Sequence, residues 1–340
     1  MSYREELRNI KPDPNILQAL QGSTGFKEYI TQNRTGDVRL DSLDTSIYYQ
    51  AQALTYLYTK PLEVKYPELT ARSIFPVSSE VDEGAEKAMY EVTDIIGGTK
   101  IQANHSNDVR RVDVKTNWIE VNIKQCENFF DYSFRDMRAA QFAGRPLQES
   151  KAKASQRDIE EELNALAWAG DRTHQIKGIL SEGTGIANSP FAKPIKDMTA
   201  EQLNTAITSK ASEMHQRSRG VFSPDTLVLP LAEYNYLFDK IWIGTALSSI
   251  GQWILDNNRH IKRIVPAPEL MADSGLNRFN APVGLLFEYG KENISMEIPM
   301  LPHMRAPFPT LTGFQVLNEA RSGGMFIKQP MSAMILTELV

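Results

Sequence analysis

The chain has 340 residues and one cysteine, Cys126. No internal disulfide can form, which fits a reducing compartment. No run approaches the roughly 18–20 apolar residues of a membrane span, so no membrane role is expected. The opening stretch, MSYREELRNIKPDPNIL, lacks the apolar core and cleavage pattern of a secretory signal. Without a signal, the sequons Asn33-Arg34-Thr35, Asn104-His105-Ser106 and Asn293-Ile294-Ser295 read as chance matches. A surplus of basic residues is also missing. There are 37 Lys and Arg against 42 Asp and Glu, for a formal charge of −5, and the cations are scattered. That excludes the basic stripe of a nucleic-acid reader.

Catalytic and ligand-binding signatures are scarce. Five histidines stand at 105, 174, 215, 260 and 303, none at metal-ligand spacing with another His or Cys, and each reads as a surface or loop residue. Cys126 would need a histidine nearby in space to act as a nucleophile, and His105 or His174 could supply it. The adjacent Glu127 opposes thiolate formation, so a small half-buried residue is the simpler reading. The loop GTGIAN, residues 183–188, lacks both the third glycine of a dinucleotide loop and the GK[ST] of a P-loop. The acidic run Asp158, Glu160, Glu161, Glu162 spans a helical turn and reads as a solvated face. The tyrosines 48, 49, 56 and 58 have no basic interleaving, which argues against a base-stacking platform. No GxSxG is present. No catalytic, cofactor or metal residue is assigned, and the expectation is a protein that is not an enzyme.

What is present is organisation. Residues 1 to about 45 are polar and broken by Pro12, Pro14, Gly22, Gly25 and Gly36, as in an extended arm that must lie on another surface to be ordered. Leu17 to Leu20 could form a turn of helix. Tyr48, Ala51 and Leu54 recur at helical spacing, until Pro61 stops the helix. MYEVTDII, Gly97-Gly98 and VRRVDVKTNWIEVNIKQ read as a long β-hairpin with a polar tip. Its second strand carries Val112, Val114 and Thr116 on one parity and Ile119, Val121 and Ile123 on the other. A slip of one residue inverts the faces of a strand, so a bulge or twist near Trp118 is expected. A two-stranded ribbon is marginal in water and needs a partner surface.

A helix of about 25 residues follows, 146–170, with Pro146 at its start and Gly170 at its end. Its stripe of Ala152, Ser155, Ile159, Leu163 and Leu166 is thin at first and apolar later, as for a helix lying across a sheet. Glu149 and Lys153 form an i,i+4 pair. IKGILS is a short apolar run before a glycine-containing loop. Thr199 and Gln202 form a capping box for a helix burying Leu203, Ile207, Ala211 and Met214 and ending near Gly220. TLVLP is a buried strand, LAEYNYLFDK a short helix, and Thr245 to Asn257 another. HIKRIVPAPEL is a strand entering a proline turn. VGLLFEY and ISMEIP, flanking residues 290–293, read as a second hairpin. GFQVLNEARSGGMFIKQPMSAMIL reads as two strands around Gly323-Gly324. Mixed strands and helices without βαβ alternation point to an α+β class.

The order of these elements, with EELNALAWAGDRTHQIKGILS at 161–181, EARSGGMFIKQPMSAMIL at 319–336 and HIKRIVPAPEL at 260–270, resembles the major capsid proteins of tailed bacteriophages. These share the Hong Kong 97-type fold with bacterial encapsulins. The resemblance implies an N-terminal arm at 1–45 and a first part of the peripheral domain at 46–84. An extended β-hairpin loop at 85–125 would reach over a neighbouring subunit. The rest of the peripheral domain, with its spine helix at 146–170, would occupy 126–199. An axial domain would take 200–300, and strands at 301–340 would return to both. The implied function is an icosahedral virion head built from pentamers and hexamers in the host cytoplasm, enclosing double-stranded DNA without specific binding. An encapsulin-like compartment shell is the alternative. Some family members carry a long N-terminal scaffolding region. Only about 85 residues precede the ribbon here, so a separate scaffolding protein is expected, with a portal and a possible decoration protein. Lys100 and Lys115 lie in the ribbon, but no partner is assigned for a Lys–Asn crosslink.

Overall fold

The computed structural model describes residues 66–101, 110–143, 147–241 and 248–339. The arm, the helix around Tyr48 to Leu54, Pro61, Pro146, His105 and the ribbon tip lie outside these ranges. The described chain begins with α1 (Ala71–Ile74), β1 (Val77–Ser78), β2 (Lys87–Ile96), β3 (Asp113–Asn122) and β4 (Lys124–Ser133). Then come α2 (Phe134–Ala143), α3 (Leu147–Trp168), β5 (Gly170–Asp171), β6 (Ile176–Lys177), β7 (Ala187–Pro190) and α4 (Ala200–Arg217). β8 (Thr226–Leu229), α5 (Leu231–Asp239), α6 (Ile250–Asn257), β9 (Arg263–Pro266), β10 (Gly284–Phe287) and β11 (Ile294–Glu297) follow. The chain closes with β12 (Met300–Met304), β13 (Phe308–Pro309), β14 (Gly313–Ser322), β15 (Gly324–Ile327) and β16 (Ala333–Thr337).

The largest sheet has the order β7-β16-β10-β8-β9. Its central strands are buried on both faces, so alternation reports which core each residue joins. Val228, Leu285, Phe287 and Ile335 point into a cluster with Trp168, Leu163 and Phe75. Leu227, Leu229, Leu286, Met334 and Leu336 point into a second cluster with Leu203, Ile207, Met214 and Ile254. Phe75 packs edge-on to Trp168 at 5.1 Å and against Phe287 at 5.4 Å between ring centroids. Each fully buried large side chain contributes about 1.5–3 kcal/mol, so these two layers supply the main stabilisation.

Local chemistry sets several elements as the sequence suggests. Thr199 caps α4: its side chain accepts from the Gln202 N–H, and Gln202 returns the bond. Leu203, Ile207, Ala211 and Met214 are the buried residues of that helix. α3 buries Ser155, Ile159, Leu163, Leu166, Ala167 and Trp168, lies across β4 and β14, and carries the Glu149–Lys153 pair at 3.0 Å. It ends at Trp168, since Gly170 (φ +71°) already starts β5. A Cβ on Gly170 would sit 2.4 Å from the Gly178 nitrogen, and one on Gly178 would sit 2.4 Å from the Gly170 nitrogen. Only glycine fits either side of this turn.

Other expectations are corrected. VGLLFEY and ISMEIP are not a hairpin: β10 pairs with β16 and β8, while β11 pairs with β1 and β15. Every residue of both strands is buried, so each needs neighbours on both edges, and residues 290–293 carry the chain between two sheets. The C-terminal segment holds three strands rather than two, because Pro330 breaks the run before β16. The helix expected from Thr245 begins at Ile250, capped by the Ser249 side chain accepting from the Gln252 N–H. KQCENFFDYS extends as β4 to Ser133, with all ten residues paired antiparallel to β14.

Candidate functional site

β2 and β3 form a two-stranded sheet, ten residues each, paired without a break from Lys87↔Asn122 to Ile96↔Asp113. No bulge interrupts β3 at Trp118. The two apolar parities are two separate faces, each with its own role. On the inner face Ala88, Tyr90, Val92, Ile119 and Val121 are half-buried at the base. Tyr90 stacks on Phe326 and donates its hydroxyl hydrogen to the Ile327 carbonyl at 3.2 Å. Partial burial raises the Tyr90 pKa. Ile123, fully buried, donates its N–H to the Glu86 carbonyl and marks where the ribbon joins the body.

The outer face is uncovered by any described residue. Met89 is 64% exposed, Ile95 74%, Val114 56% and Trp118 59%, with Val112 in the same row. Thr93 faces Thr116, and Thr116 donates to Glu91 at 3.2 Å between the larger groups. Lys87 pairs with Glu120 at the base, and Arg111 with Asp113 at 3.4 Å further out. Toward the tip, Lys100, Arg110 and Arg111 are all exposed. A two-stranded ribbon gains little from its own pairing. Large apolar groups at Met89 and Trp118 toward the base and Ile95 and Val114 toward the tip, spaced by the Thr93–Thr116 pair, mark this face as an interaction surface.

Cys126, His174 and part of the acidic run meet at one cavity, but not in a catalytic arrangement. Cys126 lines a cavity of about 370 Å³ with Glu127, Asp158, Glu162, Asp171 and His174. Burial, and then the Glu162 carboxylate, push the thiol up to about 11. His174 turns its Nδ1 to Asp171, holding that carboxyl below its usual range, and no hydrogen bond among the described residues joins His174 to Cys126. A neutral thiol among carboxylates is not a nucleophile at neutral pH. GTGIAN is a turn with Gly183 and Gly185 at positive φ, leading into β7 and not into a helix. The acidic run is a solvated face as read, with Asp158, Glu161 and Glu162 exposed and Glu160 half-buried, and it carries surface pairs. Glu160 pairs with Arg72 at 2.6 Å, Glu161 with Arg157 at 2.6 Å, and Asp158 accepts from Asn128 at 2.8 Å. His303, on β12, is exposed as expected of a surface residue, while His215, on α4, is half-buried. Among the described residues no group of three or more His, Cys, Asp or Glu side chains could hold a metal. The Tyr48 to Tyr58 group lies outside the described residues.

Two features escaped sequence reasoning. Glu269 and Asn164 form a buried polar knot that holds the start of α1; the available signal was a polar residue inside each of two apolar runs, LNALAW and PAPEL. The second is the sheet of β4, β14, β12 and β13. One face lies under α3, while Phe129 (64% exposed) and Phe308 (71% exposed) stand on the opposite face. Its pairing spans about 190 residues of sequence, which no local pattern reports.

A family model described as Major capsid protein matches residues 97–338. No curated protein matches the chain. Among solved structures, the capsid of Myoviridae phage XM1 is similar at 16% identity and a TM-score of 0.74, covering 84% of this chain and 97% of that one. The capsid of an empty GTA particle is similar at 11% identity and a TM-score of 0.59, covering 84% and 95%. A Mycobacterium phage Adephagia structure is similar at 12% identity and a TM-score of 0.58, covering 85% and 96%. At these identities the likeness is one of fold, and the mixed α+β body is the Hong Kong 97-type capsid fold.

Proposed function

The chain belongs to the major capsid protein family, and from that premise we propose that its copies assemble through pentamers and hexamers into the icosahedral head of a tailed phage. The observation that carries the reading is the ribbon β2–β3: ten pairs long, joined to the body at its base, with Met89, Ile95, Val114 and Trp118 uncovered. A neighbouring copy supplies the missing cover. In this reading residues 1–45 are the arm and 85–125 the extended loop. The peripheral domain takes 46–84 and 126–199, including the spine helix α3. The axial domain takes 200–300, with 301–340 returning to both.

The physics of a closed shell supports this assignment. Heterologous contacts repeated around rings close into shells, and many modest contacts act together. The mixed charges of Arg110, Arg111, Asp113, Lys115, Glu120 and Lys124 favour one register with a neighbour more than they add affinity. A formal charge of −5 suits a wall that encloses double-stranded DNA without gripping it. A separate scaffolding protein and a portal complete the assembly in the host cytoplasm, a decoration protein can be added, and the subunit is not an enzyme. The family match favours the virion shell over an encapsulin-like compartment.

Electron microscopy of the expressed full chain, with and without a co-expressed scaffolding partner, tests the proposal. Closed shells or capsomers are expected. A compact monomer with residues 85–125 protected against its own body would overturn it.

A further inference from the structure

The second histidine feature lies away from the ribbon. His215, in the last turn of α4, and His260, on the loop entering β9, have ring centroids 5.4 Å apart and planes tilted by 44°. Each grips the intervening loop through its Nδ1. The His215 Nδ1 stands 2.9 Å from the Phe222 carbonyl oxygen, so it carries the proton and donates. The His260 Nδ1 stands 2.9 Å from the Ser223 Oγ. The loop they hold turns through the left-handed region at Arg219 (φ +54°), a conformation that costs a side-chain-bearing residue, and at Gly220 (φ +83°), where it costs glycine nothing. Val221 is 71% exposed at its crest. Backbone bonds from Arg219 to Gln216, Gly220 to His215 and Val221 to Ser218 close the turn. The Ser218 hydroxyl bonds the His215 and Phe222 carbonyls and accepts from the Phe222 N–H, and the Glu288 carboxylate accepts from the Ser223 N–H at 2.8 Å.

We propose that His215 and His260 form a proton-operated clasp, closed while at least one ring is neutral and opened when both are protonated, releasing the 218–223 loop. The argument is electrostatic. Both Nδ1 hydrogen bonds survive protonation, since Ser223 Oγ can accept as well as donate. Two imidazolium rings in contact repel, so charge on the His215 ring opposes charge on His260. In the chain Arg217 and Arg219 follow His215, and Arg259 and Lys262 flank His260; of these Arg259 opposes charge on the His260 ring. Among the anions, Glu288 accepts from the loop at the Ser223 N–H, Asp225 accepts from the Tyr289 N–H, Asp256 on α6 accepts from Gln252, and Glu213 is turned to Ser189 and Lys210. Burial, then His215 and then Arg259, hold His260 below its ordinary range. A histidine with a lowered folded value favours the closed form above the ordinary histidine pKa and loses that preference as pH falls below it.

Hydrogen exchange of the full, unassembled chain at about pH 7.5 and about pH 5, corrected for intrinsic rates, tests this. Protection of 219–223 should fall about tenfold at the lower pH, and His260→Gln should remove most of that fall. Should His260→Gln not fold, His215→Gln serves instead, and in histidine-labelled chain it should move the His260 ring titration upward. Equal protection at both pH values, an unchanged fall in the glutamine variant, or an unmoved His260 titration would overturn the clasp.

Discussion

Asn164, on α3, donates its side-chain N–H to Glu269 Oε1 at 2.8 Å, although 105 residues separate them. Asn164 Oδ1 accepts the Ala71 N–H at 3.0 Å, and Glu269 accepts the Thr70 N–H at 3.2 Å and the Thr70 hydroxyl at 2.7 Å. Thr70 forms no side-chain cap of its own on α1. The two distant residues supply that cap, and the knot joins α1, α3 and the turn after β9 inside the protein.

Glu269→Ala should therefore destabilise the chain by about 3 kcal/mol, because three buried donors lose their acceptor. Glu269→Gln retains one acceptor oxygen and should cost about half as much. Urea midpoints of the unassembled chain would distinguish the two; a surface-like effect for Glu269→Ala would contradict the knot.

Trp118→Ala removes a side chain that is 59% exposed. Stability of the unassembled chain should change by no more than about 0.5 kcal/mol. The yield of shells should fall sharply, because the large aromatic group of the uncovered row is lost. Light scattering and electron microscopy read the second effect, and thermal unfolding the first.

Cys126 should resist maleimide and disulfide reagents at neutral pH. Its thiol is pushed up to about 11 from 9.0, so the reactive thiolate becomes abundant only near that value. The reaction rate should rise about tenfold per pH unit through the neutral and mildly alkaline range in the folded chain. In denatured chain the thiol should react at the ordinary rate. Glu162→Gln should speed the folded reaction modestly, since burial is the larger cause.

Gly178→Ala should abolish folding or cost about 3 kcal/mol or more, because the new Cβ would lie 2.4 Å from the Gly170 nitrogen and 2.6 Å from the Trp168 carbonyl oxygen. Gly183→Ala meets nothing within 4 Å and carries only the cost of its positive φ of +74°, about 1 kcal/mol. Soluble yield and midpoints of the two variants compare a steric demand with a conformational one.

The legible parts were those decided within a few residues. The Thr199–Gln202 capping box and the buried row of α4 depend on spacings of three and four, and both stand as read. The ribbon was legible because two alternating segments flank Gly97-Gly98. The reading near Trp118 failed for a physical reason: apolar residues on both parities suggest a slip only if one face alone can be apolar. Here one face meets Phe326 at its base and the other stays open. The β10–β11 hairpin failed in a similar way, since wholly buried strands carry no sign of which edge they meet.

The amino-acid order alone determined the α+β class, the long helix, the capped α4, the ribbon and the resemblance carried by residues 161–181 and 319–336, because local geometry and near-neighbour patterns encode them. Tertiary structure alone decided that β4 lies beside β14, that β10 and β11 enter different sheets, and that Asn164 reaches Glu269. It also brought His215 against His260. Each of these joins residues far apart in the chain, and their pairing follows from which buried surfaces and polar groups can be satisfied together once the whole chain has collapsed.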